Sequence, residues 1–180
     1  MARLKLATVW LGGCSGCHMS FLDMDEWLCD LAARADVVYS PLMDVKEYPE
    51  GVDVCLVEGA VANEENHEMI HKVRERTRFV VSFGDCAVTG NVTALRNPLG
   101  TALEVLRPVY VEQADFNARI PDVRPIVPVL LDRVVAVHEV IAVDFFLPGC
   151  PPPADRIHAI VAALLDGRAP HLDEDQRRFG

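Results

Sequence analysis

The sequence predicts an α/β protein, a doubly wound parallel sheet of about five strands with helices on both faces. Three observations carry this. Short apolar runs rich in β-branched residues alternate with stretches of helical period, the signature of repeated βαβ units. Those runs end in glycine- or proline-rich turns, as at 11–17, 58–60, 84–86 and 148–153. The chain has 180 residues, 51% of them hydrophobic, which suits one domain with an ample core.

Residues 3–10 read as the first strand and run into Leu11-Gly12-Gly13-Cys14-Ser15-Gly16-Cys17. From 18 to 34 the period becomes helical, with Phe21, Met24, Leu28, Leu31 and Ala35 on one face. Residues 37–40 are a short second strand and 53–57 a third, followed by Glu58-Gly59-Ala60. A polar helix spans 63–77 and turns Met69, Ile70 and Val73 inward, and 79–83 is a fourth strand ending at Gly84-Asp85-Cys86. Residues 98–107 read as helical, Pro121, Pro125 and Pro128 mark an irregular connection, and 130–140 reads as helical again. A last strand at 142–147 stops at Pro148-Gly149-Cys150-Pro151-Pro152-Pro153, and 154–165 is an amphipathic helix. The domain is expected over 1–170, with a charged, exposed tail at 171–180. No internal repeat and no second domain is read. Right-handed crossovers bring every strand-to-helix turn to one sheet edge, where ligands of such flavodoxin-like sheets bind.

Seventeen Lys and Arg against 27 Asp and Glu give a net charge of −10. Such a chain lacks the cationic field that collects on phosphate backbones, so no nucleic-acid partner is expected. No run approaches the roughly 18–20 apolar residues of a membrane span, and the start reaches Gly12-Gly13-Cys14 before a signal core can form. A cytoplasmic protein without a membrane span is expected. Six cysteines are many for a reducing compartment, where thiols more often bind metal or do redox chemistry than form disulfides.

Cys14 and Cys17 follow the first strand, Cys86 the fourth and Cys150 the last, all on the same predicted edge. Thiolates brought together repel unless a cation neutralises them, and four sulfur ligands suit zinc or an iron–sulfur cluster. One C-x-x-C pair plus two single cysteines, the last followed by proline, fits a cluster better than the paired knuckles of structural zinc. A dithiol oxidoreductase would leave Cys86 and Cys150 without work. Cys29 and Cys55 read as small buried apolar residues. His18 reads as a neighbour of the site rather than a ligand. Glu58 reads either as a loop acid or as a carboxylate that carries protons or meets a partner. The turn 12–16 could cradle the phosphate of FMN, but it lacks a run of hydroxyl residues.

Taken in order, Trp10-Leu11-Gly12-Gly13-Cys14-Ser15-Gly16-Cys17, Val57-Glu58-Gly59-Ala60, Gly84-Asp85-Cys86 and Pro148-Gly149-Cys150-Pro151-Pro152 resemble the small subunit of nickel–iron hydrogenases over nearly the whole chain. The nearest likeness is to the short small subunit of soluble NAD-reducing enzymes. The resemblance implies an oxidoreductase subunit with one proximal [4Fe-4S] cluster on Cys14, Cys17, Cys86 and Cys150. It implies a large-subunit partner carrying the Ni-Fe centre, and diaphorase subunits with flavin and iron–sulfur groups that pass electrons to NAD⁺. It places Glu58 in the polar region between subunits, as a candidate proton path. No cysteine follows Cys150, so a single cluster is expected, and the chain alone is not expected to be catalytic. The 20 kDa subunit of complex I-like oxidoreductases is the alternative, but it carries adjacent cysteines where this chain has Cys14-Ser15-Gly16-Cys17. A structural Zn–S4 module is the alternative of another class.

Overall fold

A computed structural model describes residues 3–124 and 126–177. Strands β1 (Leu4–Trp10), β2 (Ala35–Tyr39), β3 (Val52–Glu58), β5 (Thr77–Phe83) and β7 (Phe145–Leu147) form a parallel sheet in the order β2-β1-β3-β5-β7. This is the flavodoxin-like order expected of a doubly wound sheet, with all strand ends on one edge. Strands β4 (Val61–Asn63) and β6 (Leu130–Val135) add a small antiparallel pair, with Val61 opposite Val135 and Asn63 opposite Leu130.

Alternation along β3 divides the core. Val54 and Leu56 face one cluster with Leu6, Val81, Ile157 and Ile160, while Cys55 and Val57 face the other with Val9, Ile70, Val73 and Val80. Helices α1 (Gly16–Leu22), α2 (Trp27–Arg34) and α7 (Ala154–Leu165) supply apolar residues to the first cluster, and α3 (Glu64–Arg76) supplies them to the second. In α3 the Asn63 side chain caps Asn66 N–H at 2.7 Å, with Glu64 and Glu65 in the first turn and Arg74 and Arg76 in the last. Short helices α4 (Asp85–Thr89) and α5 (Asn91–Ala94) follow β5, and α6 (Ala102–Arg107) continues into a π-helical turn at Pro108–Glu112.

Several expectations change. The helix read over 18–34 is two helices, broken at Asp23–Glu26, where Asp25 takes a left-handed φ of 48°. Asp tolerates that conformation better than most residues. Residues 130–135, read as helix, form a strand because β4 offers a pairing partner that their own period does not reveal. Cys29 is exposed rather than buried. It lies two positions from the buried Leu31, about 200° around α2. The charged tail is not wholly exposed, because Leu172 belongs to the first core cluster. Pro125 and residues 178–180 lie outside the described residues.

Candidate metal centre

Four loops at the carboxyl edge carry the predicted site, and backbone hydrogen bonds tie them in pairs. Leu11 N–H reaches Glu58 O at 2.8 Å, and Gly12 and Ala60 exchange N–H···O bonds of 2.9 and 2.7 Å. Gly84 N–H reaches Leu147 O at 2.8 Å and Asp85 N–H reaches Gly149 O at 2.9 Å, while the Asp85 carboxylate accepts Gly149 N–H at 2.6 Å. Thr93 Oγ1 donates to Gly12 O at 3.0 Å and Ser20 Oγ to Pro152 O at 2.6 Å, which joins the two pairs. The Cys150–Pro151 peptide is cis.

This lacing brings the four predicted cysteines into one neighbourhood. Burial pushes the Cys17 thiol well above its ordinary range, and the charges of Glu58, Cys14, Cys86 and Cys150 push it further. Burial also raises Cys86, with Cys14 and Cys150 adding to it and hydrogen bonds from Thr93 opposing it. Cys17 and Cys86 are buried and Cys14 and Cys150 exposed, so the group sits half inside the sheet edge. Among the described residues, no three of His, Cys, Asp or Glu are gathered closely enough to hold a single metal ion.

The sulfurs have donors and room. Gly16 N–H lies 3.4 Å from Cys14 Sγ, and Asn91 Nδ2 lies 3.4 Å from Cys150 Sγ. A Cβ on Gly84, whose φ is +84°, would fall 2.1 Å from Cys17 Sγ. Glycine is therefore required there on two counts, conformation and space. A thiol-rich set with N–H donors to sulfur and a side-chain-free cradle fits an iron–sulfur group. Asn91, Thr93 and the Gly84 cradle were missed from sequence. The first two sit on the short helix α5 beyond Cys86, which no pattern marks, although Gly84-Asp85-Cys86 itself is marked.

Glu58 and His18 are more deeply placed than expected, at 2% and 4% exposure. Glu58 Oε1 accepts Cys17 N–H at 3.2 Å, and Oε2 accepts His18 N–H at 2.9 Å and the His18 ring through Nδ1. The His18 ring stacks on Trp10 at 5.8 Å between centroids and lies 6.3 Å from Phe83. Its Nε2 is buried, and among the described residues no hydrogen-bond partner reaches it. Cys55 takes no part in this group. It is fully buried, and its thiol is pushed up to about 12 by that burial.

A family model described as NADH ubiquinone oxidoreductase, 20 Kd subunit, matches residues 14–164. The NAD-reducing hydrogenase HoxS subunit delta of Cupriavidus necator is 38% identical, over 98% of this chain and 86% of that one. The chain belongs to this family, among its hydrogenase small subunits. A subunit in the crystal structure of an NAD+-reducing [NiFe]-hydrogenase in the H2-reduced state superposes with a TM-score of 0.93 at 38% identity, over 99% of this chain and 100% of that one. A subunit of the F420-non-reducing hydrogenase of Methanothermobacter marburgensis is 44% identical over 92% of this chain and 54% of its own. Our chain thus spans about half the length of that relative. A [NiFeSe]-hydrogenase chain of Dm. baculatum shares the fold, with a TM-score of 0.63 at 18% identity. No helix among the described residues is long and apolar enough to cross a membrane.

Proposed function

We propose that this subunit relays electrons in a cytoplasmic NAD-reducing nickel–iron hydrogenase, with Cys14, Cys17, Cys86 and Cys150 holding one [4Fe-4S] cluster. The observation that supports the reading most strongly is the hydrogen-bonded lacing, on one sheet edge, of the three separate loops that bear these four cysteines. When bound, the cluster supplies one-electron chemistry, and the four side chains fix where that happens. One C-x-x-C pair with two single cysteines on separate loops departs from the paired knuckles of structural zinc and suits a cluster.

The partners are a large subunit with the Ni-Fe centre and diaphorase subunits that deliver electrons to NAD⁺. Cys14 and Cys150 are exposed, which leaves the site for a second chain to cover. Leu95, Leu99 and Leu103 are exposed on the segment that follows Asn91 and Thr93 in the chain. Exposed apolar side chains such as these suit an obligate interface with the large subunit. FMN is left out of this reading, because the one hydroxyl of the turn, Ser15 Oγ, donates to Cys14 O.

The test is hydrogen-driven reduction followed by visible absorbance under anaerobic conditions. The assembled complex should bleach near the iron–sulfur band and reduce NAD⁺, and the isolated chain should keep the band and turn over no hydrogen. A colourless chain, or one active without its partners, would refute the reading.

A further inference from the structure

We propose that His67 and His71, on helix α3, form a two-imidazole site for one divalent transition-metal ion of the zinc type. The helix carries no cysteine, so this site is independent of the cluster reading. Both histidines lie inside α3, whose start the Asn63 side chain caps. Residues four apart on a helix stand one above the other, with about 5–6 Å between Cβ atoms, so both rings leave from one face. Ile70 and Val73 are fully buried and seat the helix on the sheet, while His67 and His71 are exposed.

The rings already stand at the spacing of a chelate. Their centroids are 4.7 Å apart, with the planes inclined at 66°. An ion taking one nitrogen of each ring at about 2.0–2.1 Å, over N–metal–N angles of about 90–109°, sets the ring centres about 4.5–5.2 Å apart. Apart from each other, neither imidazole has a hydrogen-bond or ion-pair partner among the described residues, so binding breaks no bond within the chain. Glu64, one turn earlier, is engaged by Arg124 at 3.2 Å. No third His, Cys, Asp or Glu among the described residues is gathered with the pair, which leaves the remaining positions of the ion to water. Imidazole nitrogen suits zinc, nickel and copper, whereas magnesium and calcium take oxygen. The run His67-Glu68-Met69-Ile70-His71 has the H-E-x-x-H spacing with which one helix face presents two ligands to zinc. Catalytic zinc also takes a third protein ligand, so an exposed pair without one is a binding site rather than a catalytic centre.

The experiment is equilibrium dialysis of the assembled complex against Zn²⁺ under anaerobic conditions, with bound metal counted for the unmodified protein and for variants. His67→Ala and His71→Ala should each bind one Zn²⁺ fewer per chain, and the double variant should also lose one, because both rings hold the same ion. His171→Ala, on an exposed histidine elsewhere in the chain, should lose none. The count is a difference, so it stands whether or not the cysteines hold a cluster. Excess Mg²⁺ should leave it unchanged. Should an alanine variant fail to assemble, His67→Gln and His71→Gln are read in the same way. Unchanged zinc in either single variant, loss of two ions from the double variant, or displacement by Mg²⁺ would overturn the proposal. An unmodified complex that binds no Zn²⁺ would overturn it too, while leaving the cluster reading untouched.

Discussion

Gly84 and Cys17 touch: a methyl group on the glycine would lie 2.1 Å from the cysteine sulfur. The end of β5 and the start of α1 therefore meet without a side chain between them, and this contact brings the Cys14–Cys17 turn against the loop that bears Cys86.

Gly84→Ala should break that arrangement while leaving most of the sheet alone. Gly84, at φ 84° and ψ 161°, lies in an extended positive-φ region that is essentially glycine-only and costs other residues about 1–3 kcal/mol, and the Cys17 thiol must also move aside. The expected outcome is a modest loss of stability in denaturant unfolding and a large loss of iron per chain. Gly51 has φ +67° and nothing within 4 Å of its Cβ position. Gly51→Ala should therefore cost less stability than Gly84→Ala and no iron.

Alkaline pH should weaken the fold through Cys55. Its thiol ordinarily ionises at 9.0 and is pushed up to about 12 here, chiefly by burial. The folded chain holds that proton more tightly than the unfolded one, so stability is full below pH 9.0 and falls as pH rises toward about 12. One such proton contributes a slope of about 1.4 kcal/mol per pH unit. Urea unfolding of Cys55→Ala across this window should show a slope shallower by about that amount. An unchanged slope would mean that Cys55 does not titrate with unfolding.

Arg96 should prove to be the staple of the small sheet. Its guanidinium donates to Ala62 O at 3.2 Å, Leu131 O at 2.5 Å and Asp132 O at 3.3 Å, which joins the two strands from the side. Arg96→Met keeps the aliphatic stem and leaves those carbonyls without their donor, at about 1–3 kcal/mol. Hydrogen exchange should accelerate at 61–63 and 130–135 and stay slow in β1, β3 and β5.

Much of this was legible in the sequence because the signals were local. The turn after β1 and the proline-bracketed loop at Cys150 announce themselves, and handedness then places their cysteines on one edge. What failed was pairing at a distance. The three residues of β4 are too few to show a period, so the strand at 130–135 could not be distinguished from a helix by its own residues. Glu58 was placed at the right edge but not at its depth. Its burial follows from the N–H donors of Cys17 and His18 on a helix 40 residues away, which one sequence does not display. The break at Asp23–Glu26 was hidden because its acidic residues also suit a helix surface.

The most direct test of the central claim is the iron, acid-labile sulfide and zinc content of the anaerobically purified subunit and of its Cys150→Ser variant. About four irons and about four sulfides per chain are expected in the first, and failure to assemble that group in the second. Stoichiometric zinc without iron, or undiminished iron in Cys150→Ser, would contradict it.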